Sequence, residues 1–263
     1  MGTSSDIPGL RRGLQVLDLL ARRAGPIPAA AVARELDLPR STTYHLLNEL
    51  QAAGYVTHIP AERKYGLGIA AFELGSAYLR HDPLERVAGP LLRTLVDTVG
   101  YTAHLGVLHG NESLYLIEQR PARPQTLVTD VGVRLPAHLT ATGRAIAAHL
   151  TRPHVRALFP GPTAFPMRTA RGPRGLAELR ALLRAETDRG WAVEDGYVTA
   201  GFATVADAVF DHSGHPIAAV GVTLRHHCPD DAVECGQTWP QLATQVKVTA
   251  AALTIALHGR RAD

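Results

Sequence analysis

Helix-breaking residues divide the first 67 residues so closely that only short elements fit between them. Gly25 and Pro26 end a first stretch of helical apolar spacing, Pro39 precedes a third, and Gly54 follows it. The predicted helices cover residues 8–23, 28–36 and 40–53, and the predicted strands cover residues 55–59 and 63–67, joined by a turn at residues 60–62. Three helices followed by a hairpin are typical of a winged helix-turn-helix.

The third predicted helix presents a polar face without acidic side chains. On a helical wheel Ser41, His45 and Asn48 fall opposite the leucines that would face a core. Such side chains suit the donors and acceptors on base edges in the major groove, while basic residues at the helix start and on the hairpin suit phosphates. The candidate DNA-binding residues are Arg40, Ser41, Thr42, Tyr44, His45, Asn48, Arg63 and Lys64. A polar face that only meets water, or a winged helix that binds protein, is the alternative.

The remainder of the chain predicts a connector helix and a second domain of mixed strands and helices. The predicted boundaries are 1–67 for the winged helix-turn-helix, 68–82 for the connector and 83–263 for the second domain. In that domain we predict helices over residues 83–99, 138–150, 174–189 and 231–258, and strands over 101–109, 113–119, 191–194, 202–210 and 216–224, with another near 126–131. The expected fold class is therefore α+β.

Composition narrows the classes of protein that the chain can be. A net charge of +3 permits nucleic-acid binding without requiring it, and two cysteines in 263 residues do not make a disulfide scaffold. Neither a signal peptide nor a transmembrane segment is predicted, so we expect a cytoplasmic protein with no membrane partner.

Motifs for catalysis and cofactor binding are not found in the sequence. It contains no Gly-x-Ser-x-Gly elbow, no phosphate-binding loop and no His-Glu-x-x-His, so we predict neither an enzyme nor a cofactor. His226, His227, Cys228 and Cys235 have metal-ligand chemistry, but their spacing matches no compact motif, and whether they bind a metal stays open.

Several motifs in order resemble the IclR-type bacterial transcription regulators. They lie at residues 38–47 (LPRSTTYHLL), 64–68 (KYGLG), 72–75 (FELG), 134–145 (RLPAHLTATGRA), 189–195 (RGWAVED), 205–211 (VADAVFD) and 214–223 (GHPIAAVGVT). The resemblance extends over roughly residues 8 to 258. It implies a repressor-type regulator that binds operator DNA as a homodimer or tetramer and responds to a small-molecule effector, an organic acid or an aromatic compound.

The resemblance also implies a GAF-like second domain with a buried effector site. Carried over position by position, the effector-binding residues are Leu127, Ala141, Thr142, Glu194, Phe202, Thr204, Gly221 and Thr223. Small residues at the start of a helix would let an anion approach its free N–H groups, and Arg144, further along, can point away.

The chain departs from the family pattern at several of these positions. Thr204, Gly221 and Thr223 stand where the family's small-acid sensors carry a cysteine and two serines, Glu194 stands for an aspartate, and His45 stands where an arginine is frequent. The competing functions are a metabolite-converting enzyme tethered to DNA and a winged-helix protein-interaction module.

Overall fold

The computed structural model describes residues 7–23, 25–81, 83–124, 126–227 and 238–261, with residues 76–81 and 83 described by their backbone alone. The chain divides into two compact units, Met1–Asp82 and Pro83–Asp263. Each unit has its own hydrophobic core.

The first unit is a three-helix domain with a small antiparallel sheet. Its elements are α1 (Pro8–Ala21), β1 (Ile27–Pro28), α2 (Ala29–Glu35), α3 (Arg40–Ala52), β2 (Val56–Ile59), β3 (Lys64–Leu67) and α4 (Ile69–His81), with sheet order β1-β3-β2. Val16, Val32 and Leu47 are fully buried where the first three helices meet. The three helices and the hairpin predicted from the sequence are present, and the two-residue strand β1 was not predicted.

Two backbone features hold the third helix in place, one near each of its ends. The Leu38 N–H donates to the Ala33 carbonyl at 2.9 Å, which closes the turn between α2 and α3. After α3, the Gly68 N–H donates to the Tyr55 carbonyl at 2.8 Å, and a Cβ at Gly68 would lie 2.2 Å from the Gly54 carbonyl oxygen. Only glycine allows the chain leaving the hairpin to pass this close to the end of α3.

The second unit is a six-stranded antiparallel sheet with helices on both faces. Its elements are α5 (Pro83–Val99), β4 (Thr102–His109), β5 (Glu112–Gln119), β6 (Arg134–Pro136), α6 (Ala141–Ala147), α7 (Arg152–Leu158), a 3-10 turn (Pro162–Ala164), α8 (Leu176–Arg189), β7 (Ala192–Asp195), β8 (Phe202–Phe210), β9 (Pro216–Arg225) and α9 (Pro240–Ala256). The strand order is β6-β5-β4-β9-β8-β7. Helices α5 and α9 cover one face over the main core, and α6 packs on the other.

The structure corrects three predictions for this unit. The strand expected near residues 126–131 is wrong: this segment is irregular, and the third strand on this side, β6, begins at Arg134. The helix predicted from residue 138 begins at Ala141, because Thr140 caps it by accepting a hydrogen bond from the Gly143 N–H. The last helix begins at Pro240 in the described part, and residues 231–237 lie outside the described residues.

None of the helices in the described part of the chain is long and apolar enough to span a bilayer.

Candidate DNA-binding face and effector cavity

Helix α3 exposes the polar face that its sequence predicts. Arg40, Ser41, Tyr44, His45 and Asn48 are exposed, and Thr42 is half-buried. On the opposite side Thr43 and Leu47 are buried against the other helices. Within the described residues, no hydrogen bond or ion pair of the chain engages the side chains of the six polar positions, which leaves their donors and acceptors available to a partner.

The hairpin that follows α3 carries the other two candidates. Arg63 is exposed in the left-handed backbone region with φ +52°. Lys64 is partly buried, and its Nζ lies 2.8 Å from Glu62 Oε2. The cation at Lys64 therefore already has an anionic partner on the same hairpin.

Apolar side chains are exposed on α1 and α4 of the first unit. Leu10 and Leu14 of α1 are 59% and 54% exposed, and Phe72 and Leu74 of α4 are 70% and 62% exposed. Exposed apolar side chains of this kind are typical of interaction surfaces.

A polar-floored cavity lies in the second unit between the sheet, the start of α6 and the irregular segment before β6. Six of the eight predicted effector residues border it: Leu127, Ala141, Glu194, Phe202, Thr204 and Thr223. Sequence reasoning missed seven further lining residues, which are Tyr115, Val128, Thr129, Leu135, Thr140, Val198 and Thr199. Of these, Tyr115 lies two residues after Ser113 on β5, so both side chains point to the same face of the sheet. This two-residue period is the signal that could have placed Tyr115 on the cavity face.

The other two predicted residues, Thr142 and Gly221, lie against each other rather than in the cavity wall. A Cβ at Gly221 would lie 2.8 Å from Thr142 Cγ2, so the methyl group of Thr142 occupies the space that a side chain at Gly221 would need. The Thr142 hydroxyl lies 3.0 Å from Ser113 Oγ and 3.4 Å from the Tyr115 hydroxyl. Its hydrogen-bonding capacity is used inside the domain.

Two hydroxyl groups of the cavity wall are connected to a buried histidine outside the wall. Thr204 Oγ1 lies 2.9 Å from Thr223 Oγ1, which lies 2.9 Å from His104 Nε2. On its other side His104 Nδ1 lies 3.3 Å from Glu118 Oε2, and both side chains are buried. The antiparallel register produces this row, because Thr204 is paired with Thr223 and His104 with Glu118 on adjacent strands.

Glu194 contributes a carboxyl group to the cavity wall. Its Oε1 accepts hydrogen bonds from the Tyr197 N–H at 2.8 Å and the Val198 N–H at 3.0 Å. Burial raises the pKa of Glu194 to about 7 even though these hydrogen bonds favour the charged form. Near neutral pH the carboxyl group can therefore present either a proton donor or an acceptor to a bound molecule.

The cavity is small as it stands. Its volume is about 30 Å³, and a single water needs roughly 10–15 Å³ on the same measure. An effector larger than a few atoms must displace part of the wall. The segment containing Val128 is the irregular part of that wall, and Val128 is 44% exposed.

Among the described residues, no group of three or more histidine, aspartate and glutamate side chains is placed to hold a metal ion. His226 Nε2 lies 3.7 Å from Asp195 Oδ2, and its ring meets the edge of Trp239. His138 packs against Phe159 and Phe165. Cys228 and Cys235 lie outside the described residues.

A winged helix-turn-helix followed by a sheet domain with an internal polar cavity defines a ligand-responsive, DNA-binding transcription regulator. The model of the IclR helix-turn-helix domain matches residues 9–60, and the model described as "Bacterial transcriptional regulator IclR C-terminal" matches residues 76–253. The chain belongs to the IclR family of bacterial transcriptional regulators. The resemblance and the α+β fold class predicted from the sequence are confirmed.

Relatives along most of the chain are regulators as well. The HTH-type transcriptional regulator XynR of Escherichia coli K12 is 30% identical over 229 residues, 86% of this chain and 89% of XynR. The HTH-type transcriptional repressor AllR of Salmonella typhimurium is 29% identical over 217 residues, 81% of this chain and 78% of AllR. These relatives are named as regulators rather than enzymes, as the sequence predicts for this chain.

A solved structure shares the fold. An IclR homolog of Microbacterium hydrocarbonoxydans, complexed with 4-hydroxybenzoate, superposes with a TM-score of 0.79 at 24% identity, covering 95% of this chain and 98% of that one.

Proposed function

We propose that this regulator binds operator DNA as a homo-oligomer through α3 and the hairpin, and that a small organic effector in the cavity of the second unit alters this binding. The observation that carries the DNA half is the exposed face of α3, whose polar side chains have no partner within the described chain. We further propose that the protein acts in the cytoplasm, where its operator would be. Its proposed functional parts are a DNA-binding domain (1–67), a connector helix (68–82) and an effector-binding domain (83–263).

The proposed DNA contacts are of two kinds, to base edges and to phosphates. Ser41, His45 and Asn48 offer neutral donors and acceptors for base edges, with Thr42 and Tyr44 beside them. Arg40, Arg63 and Lys64 supply charge for phosphates, which position the protein on the duplex.

Oligomerisation supports recognition of a useful length of DNA. One recognition helix reads only a few base pairs, so two copies on two half-sites are needed for specificity. The exposed apolar side chains of α1 and α4, among them Leu14 and Phe72, favour a second copy of the chain as the surface that covers them. A homodimer is the smallest assembly that meets this need, and a tetramer would pair two such dimers.

The lining of the cavity favours an effector with an apolar body and one or two polar groups. Leu127, Leu135 and Phe202 offer apolar surface, whereas Glu194 and the paired Thr204 and Thr223 offer hydrogen bonds. The Microbacterium structure contains 4-hydroxybenzoate, which has this composition and is a reasonable first probe. Effector binding changes the affinity of the regulator for DNA only if the effector binds the DNA-bound and the free state with different affinities.

Fluorescence anisotropy with the DNA upstream of the protein's own gene tests the DNA half. We expect a specific complex at moderate salt that survives an excess of unrelated duplex. Binding no tighter to this DNA than to the unrelated duplex would favour the protein-interaction module.

Thermal unfolding in the presence of 4-hydroxybenzoate and a panel of small organic acids tests the effector half. A compound that binds the folded state raises the midpoint. Replacing Thr204 and Thr223 by valine should abolish this rise, whereas Thr98→Val, at an exposed position on α5, should preserve it. Chemical turnover of a stabilising compound would instead favour the enzyme.

A further inference from the structure

A second cavity lies in the same unit, where the end of α6 meets α7 and α8. Its volume is about 340 Å³, which is within the range of sites that bind small molecules. Its floor is apolar and consists of Ala147, Ala148, Leu150, Val155 and Leu183. The two cavities have no lining residue in common.

Three arginines border this apolar floor. They are Arg152 on α7 and Arg180 and Arg184 on α8, accompanied by a single carboxylate, Asp188. In the described structure none of the three guanidinium groups forms an ion pair or hydrogen bond within the chain. Arg180 Nε is moreover buried without a hydrogen-bond partner among the described residues.

The buried and unpartnered Nε of Arg180, beside the exposed side chains of Arg152 and Arg184, points to an anion as its missing partner. A buried donor without an acceptor costs free energy, and guanidinium groups bind carboxylate, sulfonate or phosphate oxygens through paired hydrogen bonds. Against the apolar floor, only a hydrocarbon or aromatic group of a ligand would pack favourably. A ligand that satisfies both parts of the cavity is an anion attached to an apolar body.

We propose that this cavity is a second ligand site, which binds a small amphiphilic organic anion. Its apolar body would lie on Ala148, Val155 and Leu183, and its anionic group would lie among Arg152, Arg180 and Arg184. The volume of about 340 Å³ favours a small molecule over an acidic protein segment, which would need an extended groove.

The site is connected to the effector cavity through one short helix. Ala141, in the first turn of α6, borders the effector cavity, whereas Ala147 at the end of the same helix forms part of the second floor. Helix α8 is also tied to α6, because Leu183 of α8 lines the second cavity and Glu186 of the same helix pairs with Arg144 of α6.

Titration of the full-length protein with 8-anilinonaphthalene-1-sulfonate tests the proposal, because this fluorescent probe combines an apolar body with one anionic group. We expect saturable binding that the double variant Arg180→Gln/Arg184→Gln weakens at least about tenfold, a change that the loss of one charge-assisted hydrogen bond is enough to produce. Ala148→Leu keeps the arginines and fills the floor, and we expect it to weaken binding by a similar factor. The control is Arg156→Gln, an exposed position on α7 outside the cavity, which should leave binding unchanged.

Two results would overturn the proposal. The first is a probe affinity that both cavity variants leave within twofold of the wild type, because the probe would then bind elsewhere. The second is arginine-dependent binding of a hexaglutamate peptide without arginine-dependent binding of the probe, which would identify a docking site for an acidic protein segment. If the arginine variant fails to fold, as thermal unfolding would reveal, Ala148→Leu decides the question alone.

Discussion

Arg144 and Glu186 form a completely buried ion pair that links α6 to α8. Arg144 Nε lies 3.0 Å from Glu186 Oε1 and 3.2 Å from Oε2, and Arg144 Nη2 lies 3.0 Å from Oε1. The same guanidinium donates from Nη1 to the carbonyls of His138 and Leu139 at 3.1 and 3.0 Å, and from Nη2 to the carbonyl of Val193. One side chain thus joins the turn before α6, helix α8 and strand β7.

Removing either partner of this pair should be strongly destabilising. Arg144→Met leaves the buried Glu186 with only the more distant Arg189, whose Nη2 lies 3.9 Å from Oε1, as a counter-ion. We expect the free energy of unfolding to fall by about 3–5 kcal/mol. Urea unfolding followed by circular dichroism measures the loss. The same substitution at the exposed Arg156 is the control and should cost less than about 0.5 kcal/mol. A loss below about 1 kcal/mol for Arg144→Met would mean that the pair contributes little.

The contact between Gly221 and Thr142 predicts a compensating pair of substitutions. A Cβ at Gly221 would lie 2.8 Å from Thr142 Cγ2, so Gly221→Ala should destabilise the protein by about 1–3 kcal/mol through overpacking. Thr142→Ser removes that methyl group and keeps the hydroxyl that lies 3.0 Å from Ser113 Oγ. The double variant should therefore be more stable than Gly221→Ala alone. Additive losses in a four-protein unfolding cycle would show that the two positions do not interact.

Glu194 should make stability depend on pH in a defined direction. Burial raises the pKa of Glu194 to about 7 from an ordinary value of 4.5, so over this interval the folded chain retains a proton that the unfolded chain has lost. The contribution of Glu194 to stability is then present below pH 4.5 and is lost as the pH rises through about 7. Glu194→Gln keeps an acceptor for the Tyr197 and Val198 N–H groups and abolishes this titration.

Unfolding of wild type and Glu194→Gln at pH 5 and pH 8 checks this direction. The variant should gain on the order of 3 kcal/mol over the wild type between the two pH values, since one unit of pKa shift corresponds to about 1.4 kcal/mol. Taking the difference cancels the titration of other groups. Parallel curves for the two proteins would contradict the prediction.

The acidic partner of Lys64 should weaken DNA binding. Glu62→Gln removes the carboxylate that lies 2.8 Å from Lys64 Nζ and frees this ammonium group for a phosphate. We expect operator affinity to rise a few-fold, whereas Arg63→Ala should lower it and reduce the slope against log salt by about 1. Asp97→Asn, which removes an exposed negative charge from α5, is the matched control. An equal effect of Glu62→Gln and Asp97→Asn would point to net charge alone.

His45 should affect which sequence is bound more than how tightly DNA is bound in general. Its exposed ring on α3 can donate to or accept from a base edge but adds no fixed charge. His45→Ala is expected to change the preferred bases in a selection from randomised operators and to leave non-specific affinity unchanged. An unaltered preference would exclude His45 from the set of base-reading residues.

Local sequence patterns were sufficient to predict most of the secondary structure of the first unit. Pro39, Gly54 and the leucines of α3 define a helix whose polar face needs no long-range information. The two-residue strand β1 escaped prediction because Ile27 and Pro28 become a strand only by pairing with Tyr65 and Lys64.

Predicting the cavity wall required information that no single segment of the sequence contains. Residues 126–131 have the composition of a strand, yet they remain irregular, and Leu127, Val128 and Thr129 form part of the cavity wall instead. The row that joins Thr204 to His104 requires the register of three strands. The sequence left the direction of the Arg144 side chain open, and its pairing with a glutamate 42 residues later could not be predicted from either position alone.

The position of Arg144 in α6 has a mechanical consequence. The helix has seven residues, and Arg144 is the fourth, so its many hydrogen bonds hold the helix at the midpoint. All seven residues of the helix are buried, and close-packed interiors transmit strain rather than absorb it. Helix α6 is thus a stiff strut whose two ends border different cavities.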